Sequence, residues 1–207
     1  MNLEDILTKH HCDKSTKHKY HEVYGPEFDP IRDDQLNLLE VGIFRGESFR
    51  AWVDYFPNST IYGIDIFTRI QPSDIEDILG HERVRWAKAN SLITKIEDVF
   101  PGVEFDIVID DGMHTPRANM LTFKNAIGSV KKTGAYYVED VFPLDIMTEE
   151  ERSIRWLLSK PDEYNLQRMK HFNNAISKYK QTHFDNREKS GEPDSYIIKL
   201  EHLDEEA

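Results

Sequence analysis

Leu38-Leu39-Glu40-Val41-Gly42 runs directly into Ile43-Phe44-Arg45-Gly46-Glu47-Ser48, an apolar strand that breaks at a glycine and opens a helix. The first half of that pattern recurs along the chain: the spans 37–41, 60–65, 83–87, 105–110 and 135–139 read as strands, each followed by a segment able to form a helix. Runs such as Ile107-Val108-Ile109 suit strands buried on both faces. Strand-helix alternation with crossovers of this length predicts a parallel sheet with helices on both sides.

The fold class expected is therefore α/β, a Rossmann-like doubly wound, mostly parallel sheet. At 207 residues the chain suits one large domain. Residues 1–35 read as an irregular, partly helical N-terminal cap, 36–203 as the α/β domain and 204–207 as a solvated acidic tail. Thr115-Pro116 has the form of an N-cap with proline in the first helical position. Thr148 with Glu151 matches a capping box ahead of Ile154, Trp156, Leu157 and Leu158, a helix that Pro161 would stop. Leu166 to Phe172 and Ser195 to Leu200 read as two late strands, joined through Asp185 to Asp194, and such a closing pair is expected to bring a final antiparallel strand.

Lys and Arg total 26 against 38 for Asp and Glu, a formal charge of −12, which argues against a protein that grips nucleic acid through its phosphates. The single cysteine, Cys12, excludes an internal disulfide framework and fits a reducing compartment. Met1-Asn2-Leu3-Glu4-Asp5 carries acids where a signal peptide would carry basic residues, and no apolar run approaches the ~18 residues of a membrane span. The expectation is a cytoplasmic protein with a small-molecule or glycan substrate, no nucleic acid and no membrane, with homo-oligomerisation left open.

In a doubly wound sheet, ligands bind beyond the carboxyl ends of the strands where strand order reverses. Gly42 ends the first strand, where a missing side chain lets backbone approach a ligand. Gly46 and the following helix N-terminus offer N–H groups to a carboxylate. Asp65, closing Ile61-Tyr62-Gly63-Ile64-Asp65, stands where an acid accepts from two ribose hydroxyls. The segment Glu40 to Gly46 lacks the G-x-G-x-x-G spacing, because Phe44 replaces the glycine that admits a pyrophosphate. S-adenosylmethionine, with an adenosine at one end and an amino acid at the other, fits this pattern. Asn90-Ser91 after the third strand is either an adenine contact or a simple turn.

Two acidic pairs, Asp110-Asp111 and Glu139-Asp140, close the strands expected to be neighbours. Strands lie about 4.8 Å apart, so Asp111, Glu139 and Asp140 can converge on one ion, and an all-oxygen set favours Mg²⁺, Mn²⁺ or Ca²⁺ over Zn²⁺. Asp110 faces either the cofactor or the interior. The alternative for either pair alone is that strand-end acids cap helices or solvate a loop. His114 stands before a helix N-terminus, which disfavours imidazolium, and is the candidate general base. A lone histidine is more often structural; its closeness to Asp111 is what singles it out. His10-His11-Cys12 with His18 and His21 has too irregular a spacing and too few thiols for a zinc site. Trp52, Tyr55 and Phe56 read as the packed face of a helix.

Residues 13 to 141 resemble the metal-dependent sugar O-methyltransferases of macrolide antibiotic pathways, a branch of the class I S-adenosylmethionine methyltransferases. The resemblance rests on Asp13-Lys14, His18, Tyr20, Tyr24, Leu39-Glu40-Val41-Gly42, Gly46, Ser48, Trp52, Tyr55-Phe56-Pro57 and Gly63-Ile64-Asp65. Its most specific stretches are Phe105 through His114 and Tyr137-Val138-Glu139-Asp140, with Met113 in place of the usual serine. It implies Asp111, Glu139 and Asp140 as Mg²⁺ ligands, and His114 as base with Asp111 beside it in the catalytic set. It also implies cofactor contacts at Glu40, Gly42, Asp65 and the Asn90-Ser91 turn, and Gly46, Ser48 and Asp110 complete the cofactor-binding residues expected. The chain diverges after Leu144, where the family shapes its acceptor pocket. The expected activity is Mg²⁺-assisted O-methylation of a sugar hydroxyl in a glycan or glycosylated metabolite. Its rivals are a catechol-type O-methyltransferase and a non-catalytic scaffold that keeps the fold.

Overall fold

The computed structural model describes residues 1–141 and 170–203. Seven strands form one sheet: β1 (Asn37–Val41), β2 (Thr60–Asp65), β3 (Val84–Lys88), β4 (Phe105–Asp110), β5 (Val130–Val138), β6 (Lys180–Asp185) and β7 (Tyr196–Glu201). Their order is β3-β2-β1-β4-β5-β7-β6. The pairings from β3 through β5 are all parallel, and β7 is antiparallel to both its neighbours. The chain moves outward from β1 to β3 and then returns to lay β4 on the other side of β1. That reversal puts the switch point at the carboxyl ends of β1 and β4.

Consecutive β1 residues serve opposite faces, as strand periodicity requires. Leu38, with Ile61, Ile107 and Tyr137, faces a core filled by helix α4 (Glu47–Tyr55) and by the N-terminal segment. That segment comprises α1 (Leu3–Lys9), α2 (Asp13–Thr16) and α3 (His21–Phe28). Leu39, with Val41, Val108 and Val138, faces the other core, which holds Phe123, Phe172 and Ile176. Trp52, Tyr55 and Phe56 are fully buried, a packed face. Gly63 is what lets α4 lie on β2, since a Cβ there would stand 2.1 Å from the Phe49 ring. Helix α5 (Pro116–Ala126) starts as its sequence predicts: the Thr115 side chain accepts from the Ala118 N–H.

The late region differs from expectation. Residues 170–172, inside the span read as the strand Leu166 to Phe172, are helical, and the rest of that span lies outside the described residues. Phe172 and Ile176, one helical turn apart, both bury in the second core, which explains why apolar content there serves a helix. The partner of β7 is instead the polar edge strand β6. Strand β5 also begins five residues before the expected 135, with a register irregularity against β4 between Phe105 and Ile107. The helix expected from Thr148 to Pro161 and the acidic tail lie outside the described residues.

Candidate active site

The sheet ladder carries on past the strand ends and aligns the acidic pairs. Val41 pairs with Asp110, and Asp110 with Val138. The Asp111 N–H then donates to Val41 O, and the Glu139 N–H to Asp110 O. Gly42 has φ +97°, and a Cβ on it would lie 2.3 Å from the Asp111 carbonyl oxygen. The close approach that demands glycine is therefore to the loop bearing Asp111, where the sequence suggested a ligand.

One lysine organises the acids. Lys14, on α2 and 1% exposed, places its Nζ 2.6 Å from Asp111 Oδ2 and 2.5 Å from Glu139 Oε2. It also lies 3.3 Å from Glu40 Oε1, an ion pair without hydrogen-bond geometry. Burial works to lower the Lys14 pKa, but Asp111, Glu139 and Glu40 together hold it well above the usual lysine range. Burial pushes Glu40 up to about 7 and Glu139 well above the carboxylate range, both against the pull of Lys14. Tyr24 OH donates to Glu139 Oε1 at 2.5 Å, and Tyr20 OH to Asp140 Oδ1 at 2.7 Å. Burial keeps both phenols protonated and hence donors.

Asp111, Asp140 and His114 each turn one ligand atom into a common gap, all within 4.8 Å of one another. His114 Nε2 is 3.5 Å from Asp111 Oδ1 and 3.8 Å from Asp140 Oδ2. Glu139, expected beside them, has both oxygens engaged by Lys14 and Tyr24. Burial lowers the His114 pKa, but Asp140, Asp111 and Asp110 outweigh it and raise the value. This reverses the expectation drawn from the helix N-terminus: three nearby carboxylates outweigh one helix end. The donor set suits a divalent cation. Three carboxylates (Glu40, Asp111, Glu139) meet the buried ammonium of Lys14, and Asp140 lies by the imidazoles of His18 and His114, so among the described residues four carboxylates share one permanent positive charge.

The expected cofactor residues lie in and after β1, β2, β3 and β4, and most of their polar side chains already make internal hydrogen bonds. Asp65 Oδ2 accepts from the Ile43 and Phe44 N–H groups and Oδ1 from Phe67, which staples the loop after β1. A carboxylate has about four lone-pair sites, so capacity for a hydroxyl remains. Glu40 Oε2 accepts from Ser48 Oγ and Trp52 Nε1. Gly46, with φ +72°, caps α4. Asn90 Oδ1 accepts from the Leu92 N–H, and Ser91 Oγ pairs with Thr122 Oγ1. Asp110 turns inward: it is 3% exposed, takes a hydrogen bond from Tyr136 OH, and burial lifts its pKa to about 6.

Of the six described non-glycine residues with positive φ, four follow strand ends, Phe44 after β1, Phe67 after β2, His114 after β4 and Asp140 after β5, and the other two, His11 and Lys19, lie in the N-terminal segment. Such conformations cost of order 1 kcal/mol or more each and concentrate at functional sites. Two large apolar side chains stay open after β1 and β2: Phe44, which the sequence singled out only for its place in the glycine spacing, and Ile66, which it did not single out. Ile66 has a signal, being apolar directly after a strand-ending acid. The N-terminal histidines do not converge. His10 goes to Asp54, His18 to Ser195 and His21 to Glu4, while Cys12 is buried.

No protein-family model matches the chain. It is 28% identical over 151 residues to the 8-demethyl-8-(2-methoxy-alpha-L-rhamnosyl)-tetracenomycin-C 3'-O-methyltransferase of Streptomyces olivaceus, covering 68% of this chain and 37% of that protein. It is 29% identical over 128 residues to the mycinamicin VI 2''-O-methyltransferase of Micromonospora griseorubida, covering 58% and 30%. The match thus spans about a third of these relatives' length, 37% of one and 30% of the other. Among solved structures, a methyltransferase of the mycinamycin biosynthetic pathway in complex with Mg and SAH superposes with a TM-score of 0.72 at 22% identity, over 100% of this chain and 56% of that one. No helix among the described residues is long and apolar enough to cross a membrane. The chain has the class I methyltransferase fold, and these sequence relatives are O-methyltransferases, in line with the resemblance its motifs carry.

Proposed function

We propose that the chain is an S-adenosylmethionine-dependent O-methyltransferase assisted by a divalent cation, and that its acceptor is a sugar hydroxyl of a glycosylated small molecule. The observation that carries this reading is the trio of Asp111, Asp140 and His114, with free ligand atoms facing one another at the switch point. The names of the relatives support the sugar acceptor, and a related structure holding Mg and SAH supports the cofactor pair.

Asp111 and Asp140 would hold the cation, with Glu139 beside them. Bound there, Mg²⁺ would supply Lewis acidity toward an acceptor oxygen. The loop between Gly42 and Gly46 would hold the amino-acid end of S-adenosylmethionine and Asp65 its ribose, and the cofactor would supply the methyl group. His114 Nε2 takes the acceptor hydroxyl proton. Asp111 and Asp140 orient that ring, and a cation held between them would offset the field that otherwise favours imidazolium. Holding the two reactants in one geometry contributes much of the rate.

Titration calorimetry with S-adenosylhomocysteine in the presence of Mg²⁺ tests this first. One-to-one binding is expected, followed by Mg²⁺-dependent methylation of glycosylated acceptors and not of catechols. Absence of binding overturns the reading in favour of a scaffold.

A further inference from the structure

The three carboxylates proposed for the metal site belong to β4, β5 and the loops after them, yet side-chain donors to all three come from one stretch of the N-terminal segment. Lys14 holds Asp111 Oδ2 and Glu139 Oε2; Tyr24 holds Glu139 Oε1; Tyr20 holds Asp140 Oδ1. All three donors are 1% exposed or less. In Asp111 and Asp140 one oxygen is gripped and the other, Oδ1 or Oδ2 respectively, faces the gap. Without these donors each carboxylate is free to rotate, and two mutually repelling acids would turn apart.

The segment is itself fixed independently of those bonds. His18 Nδ1 pairs with Ser195 Oγ at the start of β7, Asn186 donates to Lys19 O, and Tyr24 packs against Trp52 and Tyr137. The donors are thus anchored on the first core and on the β6–β7 hairpin. We infer that residues 14–24 form the positioning shell of the metal site: Lys14 and the Tyr20 hydroxyl turn the other oxygens of Asp111 and Asp140 toward the cation, and the Tyr24 hydroxyl fixes Glu139 beside them. This rests on the metal reading given above. Groups that orient metal ligands typically change affinity by about 10–100-fold when removed.

Tyr20→Phe and Tyr24→Phe delete only a hydroxyl and keep the packed ring. Tyr137→Phe is the control, because it deletes an equally buried hydroxyl whose partner, Glu27, lies outside the site. Free Mn²⁺ is followed by electron paramagnetic resonance during titration of each purified protein, with folding checked by circular dichroism. The expected result is a loss of about tenfold or more in Mn²⁺ affinity for Tyr20→Phe and Tyr24→Phe, and none for Tyr137→Phe. Wild-type affinity in both site variants overturns the inference while leaving the metal site standing. An equal loss in all three variants also overturns it, as a general structural effect. A wild-type protein that takes up no Mn²⁺ removes the metal reading itself, and the positioning role with it.

Discussion

Lys14 Nζ lies 2.5 Å from Glu139 Oε2 across 125 residues of sequence, at 1% exposure for the lysine and 2% for the glutamate side chain. A buried pair of this kind contributes little net stability, but losing one partner strands the other. Lys14→Met keeps most of the aliphatic volume and leaves Glu139 and Glu40 without a cation. The expected cost is about 3–5 kcal/mol in urea unfolding without metal. The double variant Lys14→Met with Glu139→Gln should cost less than the sum of the two singles, since the stranded charge is gone. A Lys14→Met protein as stable as wild type would contradict the burial of this ammonium.

Asp111→Asn tests the division between metal and cofactor. Asparagine retains an oxygen but not the charge that faces His114 and the gap. Mn²⁺ affinity should fall by more than the ~10–100-fold typical of an outer group, and cation-dependent turnover should vanish. S-adenosylhomocysteine binding, read by calorimetry, should survive. Full activity in this variant would rule out the metal role.

Strands β1, β2 and β4 coincide with the spans legible in the sequence, because each is an apolar run buried on both faces and ended by polar residues. Strand β6, Lys180-Gln181-Thr182-His183-Phe184-Asp185, carries no such run. It sits at the sheet edge, where one side of the ladder meets water, so nothing in its composition forces a strand assignment. The acids at the strand ends and His114 were also readable, from position alone. The role of Lys14 was not. A lysine in a four-residue helix reads as a solvated charge, and only tertiary contacts 97 and 125 residues away make it the hub of the acids. The orientation of Asp110 was likewise invisible, because alternation gives the face of a residue but not the Tyr136 hydroxyl that receives it.

Gly42→Ala and Gly102→Ala separate backbone strain from crowding. Both glycines have positive φ, +97° and +75°, but only Gly42 has a neighbour, the Asp111 carbonyl, where a Cβ would go; Gly102 has nothing within 4 Å. Gly102→Ala should cost about 1–2 kcal/mol, the ordinary cost of a left-handed residue. Gly42→Ala should cost more, and in displacing Asp111 it should also weaken Mn²⁺ binding. Equal stability losses with equal Mn²⁺ affinity would show that the Gly42–Asp111 contact does not position the site.

Glu40 gives a pH signature with a definite sign. Burial raises it from an ordinary value near 4.5 to about 7. Between those two values the native state holds a proton at Glu40 that the unfolded chain has released. Stability from this group therefore falls as pH rises through the window, and is level above it. Glu40→Gln removes the titration while its amide oxygen still accepts from Ser48 and Trp52. Relative to wild type, the variant should gain stability as pH rises from about 4.5 to 7. Urea unfolding of both proteins at pH values below, within and above that window measures it. A difference independent of pH would mean that Lys14 compensates Glu40 fully, and that burial does not hold its proton.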